Sequence, residues 1–172
     1  MNCTTVASAV AAGTRTLLRT KTEKEVVHAL GRGDACSVRR DPNTLRRWAA
    51  AVEHDAHNAL DGIWSLAVDD SYVLTVRRDG LREQVLLDDM VDEDSWPPDA
   101  WAPKHRKITL DLEAAEAVAD ELLEVLRLRD VSWPSCSQHD QPVSHCSAEW
   151  ICSGSPVHQV ALFGALQPPN TA

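Results

Sequence analysis

The chain has 172 residues, of which 44% are hydrophobic and 25% charged, and its formal net charge at pH 7 is −9. This composition excludes an intrinsically disordered chain, and no run approaches the roughly 18 apolar residues of a membrane span. Phe and Tyr occur once each, Trp occurs six times, and Arg is favoured over Lys, a bias typical of GC-rich bacterial genes. We expect a soluble globular protein of one domain, or one domain with a small appendage.

The cysteine content bears on the compartment. Five cysteines are an odd number, and only Cys136, Cys146 and Cys152 lie close together, so a secreted disulfide framework fits poorly. The first 18 residues lack the basic start and the uninterrupted apolar stretch of a signal peptide. We therefore expect a cytoplasmic protein with no membrane partner, whose thiols are reduced or bound to a metal.

Two helices are predicted in the first third of the chain. Thr22 with Glu25 fits a capping box at the start of a short helix over residues 22–30. Asp41 can cap a longer helix with Pro42 at its first position, and the apolar residues around Trp48 recur at helical spacing to about Ala59. The Trp48 side of this second helix should face the core.

Residues 63–68, 72–76 and 81–87 are predicted to form a three-stranded antiparallel meander, with Asp79-Gly80 as a hairpin turn. The acid- and proline-rich residues 88–104 are predicted to be an irregular connector. Asp111 should then cap a helix that runs to about Arg129. The predicted fold is α+β, with short helices around the meander in residues 1–130 and a small β tail in residues 131–172.

Four Cys and His side chains of the tail have spacing suited to a metal. Two residues separate Cys136 from His139, five separate Cys152 from His158, and 12 separate the two pairs. Zinc prefers four sulfur and nitrogen ligands in a tetrahedron, and two thiolates would neutralise its charge. Gly154 and Pro156 suit a tight ligand-bearing turn. The spacing predicts a structural zinc site that contributes folding energy to a tail with little core of its own.

This arrangement resembles a zinc ribbon or zinc knuckle over about residues 133–165. The resemblance implies that Cys136, His139, Cys152 and His158 are the ligands, with a β-hairpin between the two pairs. Ribbons usually place two residues within the second pair, not five, so His145 or Cys146 could replace His158. The chain is also similar in outline to actinobacterial proteins that end in a Cys/His-bearing tail after a helix, a likeness that implies no activity.

Other interpretations of these cysteines remain open. They can be ordinary core and surface side chains, or Cys146 and Cys152 can form a redox pair. A catalytic zinc is disfavoured, because such a site needs a nearby general base and Glu149 is the only acid close in sequence.

Positive charge is concentrated early in the chain. Residues 1–50 hold nine Lys/Arg and four Asp/Glu, whereas the remainder is strongly acidic. Arg39, Arg40, Arg46 and Arg47 surround the start of a predicted helix and could contact nucleic acid, as in a helix-turn-helix. About ten residues separate the two predicted helices, which is too many for a tight helix-turn-helix. Charge complementarity within the molecule explains the same pattern.

No phosphate-binding loop and no nucleophile elbow occurs in the chain. His54 and His57 lie three apart on one helix, and we interpret them as solvated residues on its polar face.

Taken together, these patterns favour a non-enzymatic interaction or adaptor protein with a structural zinc site and an unidentified protein partner. The alternative is a DNA-binding transcriptional regulator that uses residues 39–47.

Overall fold

The structure is a computed structural model in which residues 37–92, 96 and 102–168 are described. The predicted helix over residues 22–30 lies outside these residues. The elements are β1 (Ser37–Arg39), α1 (Pro42–Ala59), β2 (Ser65–Val68), β3 (Val73–Arg78), β4 (Leu81–Leu86), β5 (Met90–Asp92), α2 (Pro103–Arg127), β6 (Ser135–Cys136), β7 (Gln141–Pro142), β8 (Ser144–Cys146), β9 (Glu149–Cys152) and β10 (His158–Leu162).

All strand pairs in the described residues are antiparallel, which confirms the predicted α+β class. The strands form four small sheets, ordered β1-β5, β2-β3-β4, β6-β7 and β10-β9-β8. The β2-β3-β4 sheet is the predicted meander. Asp79 and Gly80 form its second turn with φ angles of 26° and 83°, the positive values that a two-residue hairpin turn requires.

Helix α1 begins as predicted. The Asp41 side chain accepts a hydrogen bond of 3.1 Å from the backbone N–H of Asn43, and Pro42 occupies the first turn. Leu45, Ala49 and Val52 form its buried stripe, while Trp48 is half-buried beside them. Helix α1 packs against β2 of the meander and against α2.

Helix α2 does not begin at the predicted residue. It begins at Pro103, eight residues before Asp111, because proline with its fixed φ suits the first helical position. Asp111 is therefore not a cap; it accepts hydrogen bonds from Arg47 and from the indole Nε1 of Trp48. Within the segment predicted to be irregular, residues 90–92 form β5, which pairs with β1. Such a short strand with a distant partner has no periodicity that a local pattern could reveal.

The buried core is shared by the helices, the meander and the tail. Trp133, Trp150, Phe163 and Leu166 of the tail belong to the same hydrophobic cluster as the buried faces of α1 and α2. Trp150 has no exposed surface, and its ring centroid lies 4.5 Å from that of Phe163 and 5.2 Å from that of Trp133. The tail is thus held against the helices by aromatic packing.

A buried carboxylate joins α1 to the tail. Asp55 has no exposed surface, and its two oxygens accept hydrogen bonds of 2.8 Å from Trp150 Nε1, Gly164 N and Leu166 N. Asp55 follows Val52 by three residues and Trp48 by seven, so its position falls on the buried stripe and not on the polar face that carries His57. That spacing could have identified it from sequence.

Among the described residues, neither helix has the length and apolar character needed to cross a membrane.

Candidate metal centre

The side chains of Cys136, His139, Cys152 and His158 converge at one point of the tail. One ligand atom from each residue lies within 4.8 Å of the other three. In the described part of the chain, this is the one group of Cys, His, Asp or Glu side chains with an arrangement that could hold a metal ion. The four residues named by the sequence pattern are therefore the four that the fold brings together.

Two hairpins position the four side chains. Cys136 ends β6 and His139 lies in the turn to β7, which is closed by a 2.8 Å hydrogen bond from Asp140 N to the Cys136 carbonyl. Cys152 ends β9 and His158 begins β10, and these two residues are paired directly across the strands. The five intervening residues form the loop of that hairpin, so a spacing that departs from the usual zinc ribbon still places both side chains at one site.

Three sulfur–nitrogen distances within the cluster are close to those of a tetrahedral metal site. Sγ of Cys136 lies 3.9 Å from Nδ1 of His139 and 3.4 Å from Nε2 of His158, and Nδ1 of His139 lies 3.2 Å from Sγ of Cys152. Zinc bonds of about 2.3 Å to sulfur and about 2.0 Å to nitrogen give sulfur–nitrogen edges of about 3.5 Å. The donor set of two thiols and two imidazoles could hold a metal ion.

Groups outside the ligand set support Cys152 and His158. The Gln141 side-chain amide and the Gly154 backbone N–H donate hydrogen bonds of 3.2 and 3.3 Å to Sγ of Cys152. Nδ1 of His158 lies 3.1 Å from the Pro156 carbonyl, which can only accept, so Nδ1 carries the proton and the lone pair of Nε2 faces the other ligands. Nothing in the sequence pattern singles out Gln141, because its role depends on the fold of the β6–β7 hairpin.

The same contacts favour the thiolate form of Cys152. Burial raises the pKa of this thiol, but hydrogen bonds from Gly154, His139, Gln141 and Cys136 outweigh burial and lower the pKa from 9.0 to about 6. The thiolate is the form that binds metal, so the surroundings of Cys152 prepare it as a ligand.

Gly154 is required for space. A Cβ atom at this position would overlap the His139 ring, because the backbone of the β9–β10 loop passes directly against the imidazole. Both thiols are buried, with Cys136 2% and Cys152 0% exposed, whereas His139 and His158 are half-buried. The sulfur atoms thus lie beneath the rings, and the backbone at Gly154 holds one of those rings in position.

His145 and Cys146, the substitutes considered from sequence, lie elsewhere. Nε2 of His145 is 3.0 Å from the Asp120 carboxylate on α2, and its ring packs edge-on against Trp150. Cys146 pairs with Glu149 at the opposite end of the β8–β9 hairpin from Cys152. Neither residue belongs to the cluster with His158.

The four arginines considered for nucleic-acid binding all make contacts within the molecule. Arg39 pairs with Asp89 at 2.9 Å and Arg40 with Glu113 at 3.6 Å, while Arg46 pairs with Asp70 and Arg47 with Asp111. Arg46 also donates a 2.9 Å hydrogen bond to the Val68 carbonyl, on the β2 side of α1. The basic residues early in the chain are therefore paired with acidic residues of the later, acidic part of the same molecule.

Comparison of the chain with protein-family models, with curated proteins and with solved structures finds no match.

Proposed function

We propose that Cys136, His139, Cys152 and His158 bind one structural zinc ion, and that the zinc-stapled tail serves a non-enzymatic interaction protein. The observation that carries the proposal is the convergence of two thiols and two imidazoles, whose ligand atoms all lie within 4.8 Å of one another. Sulfur and imidazole nitrogen are the ligands that zinc takes in structural sites. Two thiolates would cancel the charge of the ion, so its burial carries little electrostatic cost.

The ligand set favours a structural role over a catalytic one. Four protein ligands complete the coordination of zinc, whereas a catalytic site keeps one position for water or substrate. The cluster contains only Cys and His side chains, so it includes no carboxylate to act as a general base.

A bound zinc ion would join two hairpins of the tail directly. The β6–β7 hairpin has only two residues in each strand, and its turn carries His139. The ion would hold this hairpin against the end of the β9–β10 hairpin. Val157 in the β9–β10 loop is 69% exposed and directly precedes a ligand, so zinc would also order an apolar side chain at the surface. That side chain is our candidate contact for a protein partner.

Elemental analysis tests the zinc site. We expect about one zinc per native chain purified under reducing conditions without a metal-affinity tag, and loss of that zinc in both Cys136→Ser and Cys152→Ser. Cys146→Ser is the matched control, because Cys146 lies outside the cluster, and it should keep its zinc. Native protein without zinc, or full zinc in either ligand variant, would contradict the proposal.

The interaction role needs a separate test. Val157→Asp should retain zinc, since the side chain is exposed and is not a ligand. If the tail is the interaction surface, proteins captured from a lysate by the native chain should be lost with Val157→Asp and with Cys136→Ser, but kept with Cys146→Ser. Identical capture by all four proteins would leave the zinc site standing and refute the interaction role.

A further inference from the structure

A second candidate site lies away from the zinc cluster, at the beginning of α1. A cavity of about 370 Å³ opens there between β1, the first turns of α1, and α2. Its wall includes four cationic side chains, those of Arg39, Arg40, Arg47 and Lys107, and two carboxylates, those of Asp41 and Asp111. Three of the four arginines that the sequence analysis grouped together thus face one cavity, and α2 adds a lysine.

Both carboxylates in the wall already accept hydrogen bonds. Asp41 accepts from Asn43 N and from the Thr44 hydroxyl, as the cap of α1. Asp111 accepts from Arg47 and from Trp48 Nε1. The acids that pair with Arg39 and Arg40, which are Asp89 and Glu113, lie outside the lining, so cations outnumber carboxylates four to two in the wall itself.

Arg40 has one N–H donor that makes no hydrogen bond to a described residue. Its side chain is only 9% exposed, yet its Nε–H has no hydrogen-bond partner among the described residues. A buried, unpaired donor on a cation is costly unless another group satisfies it. The Nε atom is buried, and because the Arg40 side chain lines the cavity, rotation of the guanidinium would present this donor to an anion there.

Of the other three cations, two arginines are held against aromatic rings, whereas the lysine is exposed. Arg39 stacks on the Tyr72 ring and Arg47 on the Trp48 ring, each with its guanidinium carbon 5.2 Å from the ring centroid. Each is also paired with one acid, which leaves further N–H groups of the guanidinium without a described partner. Lys107 is exposed and has no ion pair in the described part of the chain, so it can close onto a ligand. Guanidinium groups fixed in this way recognise oxyanions with little loss of entropy.

We propose that this cavity binds the phosphate group of a small phosphate monoester. A phosphate dianion offers several strong acceptor oxygens to the converging donors, and Ile108 and Leu110 give the cavity an apolar side for the organic part. Duplex DNA fits less well, because Arg46 makes its contacts on the β2 side of α1 and is not part of the cavity wall. This cavity shares no residue with the proposed zinc site, so either site can exist without the other.

Calorimetric titration of the full, zinc-assayed chain with phenyl phosphate, inorganic phosphate and a 20-base-pair duplex tests the proposal. We expect phenyl phosphate to bind, with a dissociation constant raised about tenfold by Lys107→Glu. Lys104→Glu is the matched control: it is on the same helix, is exposed and lies outside the cavity, so it should change the constant less than about twofold. Arg40→Gln, with folding checked by circular dichroism, should abolish binding.

The probes distinguish the sources of phosphate. Tighter binding of phenyl phosphate than of inorganic phosphate supports a monoester ligand, and equal binding supports capture of free phosphate by the same donors. Absence of binding by both, or binding that Lys107→Glu and Lys104→Glu weaken equally, would overturn the site. Preferential binding of the duplex that is lost with Arg46→Glu would replace it with a nucleic-acid interface.

Discussion

At the scale of single residues, Gly154 shows how closely the site is packed. Replacing it with alanine would place a methyl group in the volume of the His139 ring and displace that ligand. We expect Gly154→Ala to weaken zinc binding by about 10- to 100-fold, the range found when supporting groups around a metal are altered. Competition with a chromogenic chelator measures the change.

Gly80→Ala is the control for this substitution. A Cβ at Gly80 meets nothing within 4 Å, although its φ of 83° makes alanine unfavourable there. We expect Gly80→Ala to lower stability without a change in zinc affinity. Equal zinc affinities in the native chain and Gly154→Ala would show that the close approach to His139 does not matter for the metal.

Asp55 is the residue whose loss should cost most stability. In Asp55→Ala, the donors of Trp150, Gly164 and Leu166 lose their acceptor in a buried setting. We expect a loss of about 3 to 5 kcal/mol in the free energy of unfolding, and a smaller loss in Asp55→Asn, which keeps one acceptor oxygen. Urea denaturation measures both. Asp61→Ala, at an exposed site, should stay within about 0.5 kcal/mol of the native chain, and a similar value for Asp55→Ala would contradict the role of this carboxylate.

At the scale of elements, the tail has two kinds of attachment. Strand β9 is anchored by the buried Trp150, whereas the β6–β7 hairpin and the β9–β10 loop meet at the candidate metal cluster, where a bound ion would join them. Trp150 and Cys152 lie on the same face of β9, because side chains two apart point the same way. One strand therefore contributes to the core and to the metal cluster.

This division predicts a local response to metal removal. After chelation, the amides of Asp140, Val143 and Gly154 should exchange with deuterium faster, because their hydrogen bonds close the ligand-bearing turns. The Phe163 amide, bonded to Ala148 beside the core, and the interior of α1 should keep their protection. Uniform loss of protection over the whole chain would show instead that zinc supports the entire fold.

At the scale of the whole molecule, long-range ion pairs join the basic start of the described chain to its acidic remainder. Arg39, Arg40 and Arg47 pair with acids 50 to 73 residues later in the sequence. The pairs of Arg39 and Arg47 are exposed and each contributes little stability, so they orient surfaces more than they stabilise the fold. The stability of the molecule comes from the shared hydrophobic core.

Global stability of the metal-free chain should depend on pH through Cys152. Its pKa in the folded chain is about 6, below the ordinary value of 9.0 that the unfolded chain should have. A lowered pKa contributes stability that is complete above the unfolded value and is lost as pH falls through the folded value. We therefore expect the urea midpoint of the chelator-treated chain to rise from pH 6 to pH 9, the two ends of that interval. Cys152→Ser should remove this rise, and parallel pH profiles of the two proteins would contradict the lowered pKa.

The amino-acid sequence by itself determined the features that depend on neighbouring residues. The Asp41 cap, the Asp79-Gly80 turn and the buried stripe of α1 follow from local backbone preferences and helical spacing. The clustering of Cys136, His139 and Cys152 was also predicted from their spacing, whereas the structure was needed to choose His158 over His145 or Cys146 as the fourth member.

Only the tertiary structure decided the features that depend on distant partners. The β1–β5 pair, the hydrogen bond from Trp150 to Asp55 and the hydrogen bond from Gln141 to Cys152 join residues that no local pattern relates. The start of α2 at Pro103 was hidden by the acidic and proline-rich composition before it. Asp111, which a local pattern assigns to a helix cap, is bound by Arg47 and Trp48 instead, because packing of α1 on α2 brings these donors to it. Contacts across the fold, which carry most of the burial energy, override local preference at such positions.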